Sequence, residues 1–149
     1  MIHFHWYKFS NLTNDLLYQI LALRSEVFIM EQHCIYPDLD GKDIFALHLV
    51  GMENNKLACY LRLFPPTDIE NYVSFGRVVT ARTARTKGYG KLLMQHLLNY
   101  CHAHFPNKII SCSAQVYLKK FYQGFGFLAF GDVFDDHGIP HVAMRKDPT

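Results

Sequence analysis

Residues 82–101 read RTARTKGYGKLLMQHLLNYC, and this stretch decides how the chain is expected to fold. It follows a β-like run, and from Gly88 onward Leu93, Leu97 and Cys101 recur at the spacing of one helix face, which predicts a helix. Glycines at a helix start let the free backbone N–H groups of the first turn approach an anion, usually a phosphate. The stretch therefore predicts a strand–loop–helix unit that binds phosphate, with an ordinary loop of solvated charges as the alternative.

Hydrophobic periodicity on both sides of this unit predicts alternating strands and helices. In chain order the predicted elements are a strand in 1–9, a helix in 10–28, a loop over 31–43, strands in 45–53, 56–64 and 73–80, the helix from 88, a strand in 108–114, a short helix in 115–127, and strands in 128–134 and 141–145. Thr13 and Asn14 are N-cap candidates for the first helix, and Asn54-Asn55 predicts a hairpin turn. The order β-α-β-β-β-α-β-α-β-β predicts a mixed α/β sheet in one domain, residues 1–149.

Composition excludes several classes of protein. Half of the 149 residues are hydrophobic and 15% are aromatic, which is incompatible with a disordered chain. Fifteen basic residues against 13 acidic ones give a formal charge of +2, too small to favour a nucleic-acid or anionic-membrane partner. We find neither a signal-peptide pattern nor an apolar run of bilayer length, and four scattered cysteines favour a reducing compartment. We therefore expect a cytoplasmic protein that does not act at a membrane.

Nine histidines raise the question of a metal site. The densest group is Cys-His-Ala-His at 101–104, but on a helix Cys101 and His104 share a face while His102 points elsewhere. No second cluster follows at zinc-finger spacing, so we expect no metal and interpret these residues as solvated histidines at a helix end. His48, on a predicted strand, is expected to be a core histidine.

The glycine pattern distinguishes between three phosphate-binding motifs. A P-loop requires G-x-x-x-x-G-K-[ST], which neither Gly88 nor Gly90 supplies. A dinucleotide fingerprint requires G-x-G-x-x-G, but the third glycine position is Leu93. The pattern that is present, Arg85-x-x-Gly88-x-Gly90 between a strand and a long helix, resembles the acyl-CoA pyrophosphate loop of the GNAT superfamily of N-acetyltransferases.

The resemblance extends over well over half of the chain. Residues 78–98 and 114–127 resemble the strand–loop–helix and the later strand–helix segments of that superfamily, and residues 24–43 and 135–141 resemble its ElaA-like branch. The resemblance implies an α/β fold of the α+β type, in which helices flank a mixed, mostly antiparallel sheet with a splayed central strand pair. It also implies acetyl-CoA as cosubstrate.

The resemblance implies a binding site for acetyl-CoA along the loop and the splayed strands. Backbone N–H groups from Lys87 to Lys91 would hold the pyrophosphate. The pantetheine arm would lie against the 77–80 strand and the strand before Gln115, with an N–H near Val79 facing the thioester oxygen. The predicted cosubstrate-binding residues are Val78, Val79, Thr80, Arg85, Thr86, Lys87, Gly88, Tyr89, Gly90, Lys91, Gln115 and Tyr122.

Candidate catalytic residues follow from the needs of acetyl transfer. The departing thiolate needs a proton, and Tyr122 lies where the superfamily commonly places a tyrosine near the sulfur; a core aromatic is the alternative. The amine needs a base, for which Glu31 and His141 are candidates, although each could equally position the acceptor. Cys112 lacks an activating His–acid pair, so direct transfer is expected.

The predicted acceptor-binding residues are Glu31, Gln32, Arg77 and His141. A pair of arginines would suit an acceptor with a carboxylate, but for Arg24 and Arg62 we expect surface or edge-strand charges instead. The predicted function is acetyl-CoA-dependent N-acetylation of a small-molecule or protein amine, and the alternative is an acyl-CoA-binding module without transfer. A homodimer is the expected candidate for an assembly.

Overall fold

The structure, a computed structural model, describes residues 1–148 and contains the predicted order of strands and helices. The elements are β1 (Ile2–Lys8), α1 (Asn14–Arg24), β2 (Leu47–Glu53), β3 (Lys56–Phe64), β4 (Val73–Thr80), α2 (Tyr89–His104), β5 (Ile110–Gln115), α3 (Lys119–Gln123), β6 (Leu128–Asp136) and β7 (Ile139–Lys146). In the described part of the chain, no helix is both long and apolar enough to cross a membrane.

One seven-stranded sheet carries the fold, in the order β1-β2-β3-β4-β5-β7-β6. Every neighbouring pair is antiparallel except β4 and β5, which run parallel. The predicted fold class is therefore confirmed.

Local signals explain where these elements begin and turn. Asn54 and Asn55 both adopt positive φ angles, 52° and 62°, as the two central residues of a type I′ hairpin turn require, and they join β2 to β3. At the start of α1, the Thr13 side chain accepts a hydrogen bond from the backbone N–H of Leu16 at 3.1 Å. That contact is the predicted N-cap.

Helices cover both faces of the sheet. On one face, α2 contributes Leu93 and Leu97 to a core that also contains Phe127 of the segment after α3. On the other face, Ile20 of α1 packs in a smaller cluster with Tyr60 of β3. Both β3 and β4 contribute residues to the two cores, so packing on both faces positions the strands that border the cleft described below.

The central strand pair β4–β5 is splayed by a bulge in β4. The pair is in register only at Val73–Ile110 and Ser74–Ser111, and beyond these residues the strands separate. Opposite β3, Leu61 faces two residues of β4, Arg77 and Val78, and Arg77 has a φ of +52°. A bulge adds a residue and bends its strand. The expected splayed pair is present, and it opens a cleft.

The structure differs from the sequence-based expectation after α1. We predicted one helix through residue 28, but the regular helix ends at Arg24 and the chain continues as a π-helix over Ser25–Glu31. The expectation that Arg24 and Arg62 are surface or edge charges is wrong, because Arg24 is fully buried and Arg62 is 5% exposed. Both arginines find acidic partners in the loop after the π-helix, which allows their burial.

Candidate functional site

A cleft of about 630 Å³ lies between the diverging strands β4 and β5. Its walls are the π-helix, the cleft-side residues of β4 and β5, the start of α2, the 117–122 segment and the turn between β6 and β7. It is lined by these predicted site residues: Glu31, Gln32, Arg77, Val78, Val79, Thr80, Arg85, Gly90, Gln115, Tyr122 and His141. The remaining predicted residues, Thr86, Lys87, Gly88, Tyr89 and Lys91, belong to the loop and first turn of α2 beside the cleft.

The loop before α2 leaves backbone donors free at the helix start. Gly88 is the N-cap with a φ of +79°, a conformation that glycine adopts without strain. The N–H of Leu92 donates to the carbonyl of Gly88, so the N–H groups of residues 89–91 have no partner within the helix. These donors, together with the positive end of the α2 dipole, are suited to accept an anion next to the cleft.

The side chain of Arg85 forms an ion pair across the cleft with Glu31 of the π-helix. Its two terminal nitrogens donate to the two Glu31 carboxylate oxygens at 2.8 and 2.9 Å, and its Nε donates to the carbonyl of Thr80 at 3.2 Å. The hydrogen-bonded Arg85 guanidinium lowers the pKa of Glu31. The Glu31 carboxylate is therefore a weak base, and the π-helix is tied to the glycine loop.

A second glutamate holds the other side of the loop. Glu53, the last residue of β2, accepts hydrogen bonds from Lys87 Nζ at 3.0 Å and from the hydroxyl of Tyr89. The three basic side chains of the loop before α2, Arg82, Arg85 and Lys87, thus all have carboxylate partners. The anion site at this loop consequently depends mainly on backbone N–H groups rather than on unpaired cations.

The bulge in β4 turns backbone donors toward the cleft. Ala81 donates its N–H to Ala58 of β3, so the alternation along a strand directs the N–H of Val79 toward β3 as well. The N–H groups of Val78 and Thr80 then point the opposite way, into the space from which β5 has diverged. The structure offers these two neighbours, rather than Val79 itself, as donors to a ligand in the cleft.

Tyr122 presents its hydroxyl to the cleft from a packed ring. The ring lies among Phe75, Phe121 and Phe127, with centroid distances of 6.1, 5.2 and 6.2 Å, and the residue is 5% exposed. Among the described residues its hydroxyl has no hydrogen-bond partner, yet it is not one of the solvent-inaccessible unpartnered atoms. The hydroxyl therefore opens into the cleft. Burial raises the pKa of Tyr122, which keeps the phenol protonated at neutral pH.

The far end of β5 brings three polar side chains together. Gln115 pairs in register with His141 of β7, and its amide contacts the Gln32 amide at 3.3 and 3.4 Å. His141 Nδ1 lies 2.8 Å from the carbonyl of Ile139, so the ring carries its proton on Nδ1 and leaves Nε2 as an acceptor. A neutral imidazole in this tautomer can accept a hydrogen bond at Nε2.

Behind the α1-side wall of the cleft lies a network of ion pairs. Its members are Arg24, Arg62, Arg77, Asp38, Asp40 and Asp43. Arg24 donates to Asp38 at 2.9 Å and to Asp43 at 2.7 Å. Burial alone would raise the pKa of Asp43, but its bonds to the arginines lower it overall. A signal for this network existed in the run of three aspartates over 38–43, which the sequence analysis treated only as a loop.

The histidines fall where the sequence analysis expected them. His48 is a core residue, bonded to the hydroxyl of Tyr60 at 2.6 Å and to the carbonyl of Asp43 at 2.9 Å. His102 and His104 are exposed at the end of α2. Within residues 1–148, no three potential ligands of a metal ion come together.

Comparison with known proteins gives a consistent result over the whole chain. Residues 26–148 match the family described as "Acetyltransferase (GNAT) domain". Protein ElaA of Escherichia coli is 36% identical over 149 residues, which cover 99% of this chain and 97% of ElaA. The crystal structure of E. coli ElaA superposes with a TM-score of 0.91 at 35% identity, covering 99% of this chain and all of that chain. An acyl-CoA N-acyltransferase from Pseudomonas aeruginosa superposes with a TM-score of 0.93 at 35% identity, covering 98% and 99% of the two chains. The chain belongs to the GNAT acetyltransferase family.

Proposed function

We propose that this protein is an acetyl-CoA-dependent N-acetyltransferase that transfers the acetyl group directly to an amine. The observation that carries the proposal is the cleft at the bulge of β4, with a free helix start at one end and the Tyr122 hydroxyl open to its interior. A pyrophosphate fits the backbone N–H groups at the helix start, and amides of a pantetheine arm fit the unpaired strand edges.

The residues that would hold acetyl-CoA are those of the loop and the diverging strands. The N–H groups of residues 87–91 would bind the pyrophosphate, and the edges of Val78–Thr80 and Gln115 would pair with the pantetheine arm. At Gly90 the backbone is open enough for a ligand to approach, because even a Cβ added there would come no closer than 3.6 Å to the Phe121 ring. Thr86, Lys87, Tyr89 and Lys91 border this loop. Acetyl-CoA supplies a thioester-activated acetyl group.

Tyr122 is proposed as the proton donor. In the overall reaction a bond forms between nitrogen and the carbonyl carbon, the carbon–sulfur bond breaks, the amine loses a proton and the thiolate gains one. A protonated phenol that faces the cleft without a protein partner is free to hydrogen-bond the sulfur side of the donor. One of these two N–H groups, that of Val78 or that of Thr80, would stabilise negative charge that develops on the carbonyl oxygen, because donors two residues apart on a strand are about 6–7 Å apart and cannot both reach one oxygen.

His141 is proposed as the base, in preference to Glu31. Its Nε2 is unprotonated in the tautomer that the Ile139 carbonyl selects. Both carboxylate oxygens of Glu31 accept hydrogen bonds from Arg85, so the proposed role of Glu31 is to hold the glycine loop before α2 in place. Gln32 and Arg77, on the same cleft walls, are proposed to contact the acceptor.

The proposal is tested by thiol release from acetyl-CoA in the presence of a panel of amines, with ligand binding measured in parallel by thermal melting. We expect acetyl-CoA at about 100-fold excess over its dissociation constant to stabilise the protein by about 2.7 kcal/mol, and NAD or ATP to do much less. We also expect thiol release that requires both protein and amine. Stabilisation by acetyl-CoA without amine-dependent release would favour the alternative function, an acyl-CoA-binding module.

A further inference from the structure

Arg77 occupies the bulge of β4 in a fixed orientation. Its Nε donates to Asp38 Oδ1 at 2.8 Å and its Nη2 donates to the Asp38 carbonyl at 3.0 Å. The guanidinium also lies 5.6 Å from the centre of the Tyr36 ring. Asp38 is itself anchored, because fully buried Arg24 binds its other carboxylate oxygen. The side chain of Arg77 is therefore held along one edge by Asp38 and lies close to the Tyr36 ring before any ligand arrives.

The remaining terminal nitrogen of this guanidinium, Nη1, binds no protein group in the described chain. It is not one of the solvent-inaccessible unpartnered atoms of residues 1–148. The side chain is 22% exposed and lines the cleft. Arg62 lines the same wall, but both of its terminal nitrogens bind Asp40 or Asp43. Arg77 thus supplies an oriented cationic donor to this part of the cleft.

The charged side chains that line the cleft favour an acceptor that carries an anionic group over an acceptor that carries a second positive charge. Its basic residues are Arg62, Arg77 and Arg85, and its acidic residues are Glu31 and Asp136. Glu31 is paired with Arg85, and Asp136, the exposed last residue of β6, contacts His137 at 2.6 Å. The aspartates that balance the arginines are not among the residues that line the cleft. A polyamine acceptor would need unpaired carboxylates on this wall.

We propose that the acceptor amine carries a carboxylate group and that Nη1 of Arg77 binds this carboxylate. The inference rests on the proposed acetyltransferase function and specifies its substrate class as amino acids and related amino carboxylates. The rings of Tyr36 and Phe64 line the cleft beside the two arginines and offer an apolar contact to a side chain of such an acceptor. Asp38 is a positioning residue, since it sets the direction of the Arg77 guanidinium without lining the cleft.

The test compares α-amino acids with their decarboxylated amines and their carboxamides as acceptors, for the wild type, Arg77→Gln and Arg77→Lys. A charge-assisted hydrogen bond corresponds to about a 10- to 150-fold preference in kcat/KM for the carboxylate member of a pair. We expect Arg77→Gln to remove this preference, and Arg77→Lys to retain part of it. All three enzymes are assayed with the same amines, so the ratio of wild-type to variant kcat/KM cancels differences in amine basicity. Equal use of amines and amino acids by the wild type, or an unchanged preference in Arg77→Gln, would overturn the proposal.

A binding measurement separates this inference from the proposed function. N-acetylphenylalanine and N-acetylphenethylamine, the products of one matched pair, are added to the CoA-saturated protein and followed by thermal melting. We expect the carboxylate compound to raise the melting temperature more, and Arg77→Gln to abolish the difference while stabilisation by CoA persists. If neither compound stabilises the wild type, or both do so equally, the carboxylate site is refuted whatever the outcome of the transfer assay.

Discussion

Replacement of Tyr122 by Phe separates a proton donor from a packing aromatic. The change removes one hydroxyl and keeps the ring among Phe75, Phe121 and Phe127. Because this hydroxyl bonds no protein group in the described chain, its loss leaves no buried partner unsatisfied. We therefore expect the free energy of unfolding to change by less than about 0.5 kcal/mol.

The expected kinetic effect of Tyr122→Phe is large. Loss of a preorganised donor in a water-excluded site costs about 10²- to 10³-fold in kcat, or about 2.7–4 kcal/mol. The KM for acetyl-CoA should hardly move, since the contact strengthens mainly in the transition state. Burial raises the pKa of Tyr122 above the ordinary value of about 10, so the wild-type rate should not fall from loss of this proton below about pH 10.

The assay is thiol release with a confirmed acceptor, run beside thermal melting. Tyr18→Phe is the matched control, because Tyr18 is 78% exposed on α1 and does not line the cleft. It should keep wild-type kcat. If Tyr122→Phe also keeps wild-type kcat while it melts several degrees lower, Tyr122 is a packing residue and the proposed proton donor is wrong.

Three further predictions concern the loop, the ion-pair network and the π-helix. Gly88→Ala places a side chain at a φ of +79°, and the control Gly41→Ala places one at a φ of +76° outside the cleft, so each should cost about 1–2 kcal/mol of backbone strain. Only Gly88→Ala should weaken CoA binding measured by calorimetry. Equal CoA affinities of the two variants would refute the anion site. Arg62 lowers the pKa of Asp40, and Arg24 and Arg62 lower the pKa of Asp43. The ion pairs of these two aspartates therefore contribute to the free energy of unfolding above about pH 5, and this contribution is lost as the pH falls below about 4. Urea unfolding from pH 7 to pH 3 should show this loss, reduced in Asp43→Asn; a flat wild-type profile would contradict it. Glu31→Gln should raise the KM for acetyl-CoA with little change in kcat, whereas a collapse of kcat at unchanged KM would restore Glu31 as the base.

The sequence predicted those parts of the fold that depend on local patterns. Asn54-Asn55 between two alternating runs identifies a hairpin because few residues adopt two successive positive φ angles. The glycine pattern at 88 and 90 identified the start of α2, and Thr13 identified the start of α1. In each case, conformational preferences within a few residues determine the outcome.

Contacts between distant segments were not predictable in this way. Glu31 and Arg85 are 54 positions apart, and Arg24 and Asp43 are 19 apart, so no local periodicity reports their pairing. The burial of Arg24 looked unfavourable in isolation, because the aspartates that compensate it belong to a loop without regular spacing. The cytoplasmic location and the homodimer remain predictions.

A crystal structure of the protein with CoA tests the central claim most directly, namely that the cleft at the β4 bulge binds the cosubstrate against the start of α2. We predict that the pyrophosphate accepts hydrogen bonds from backbone N–H groups within residues 87–91 and that the pantetheine arm lies between β4 and β5. We also predict that the CoA sulfur lies within hydrogen-bonding distance of the Tyr122 hydroxyl. CoA bound elsewhere, or bound in the cleft with its sulfur remote from Tyr122, would contradict this account.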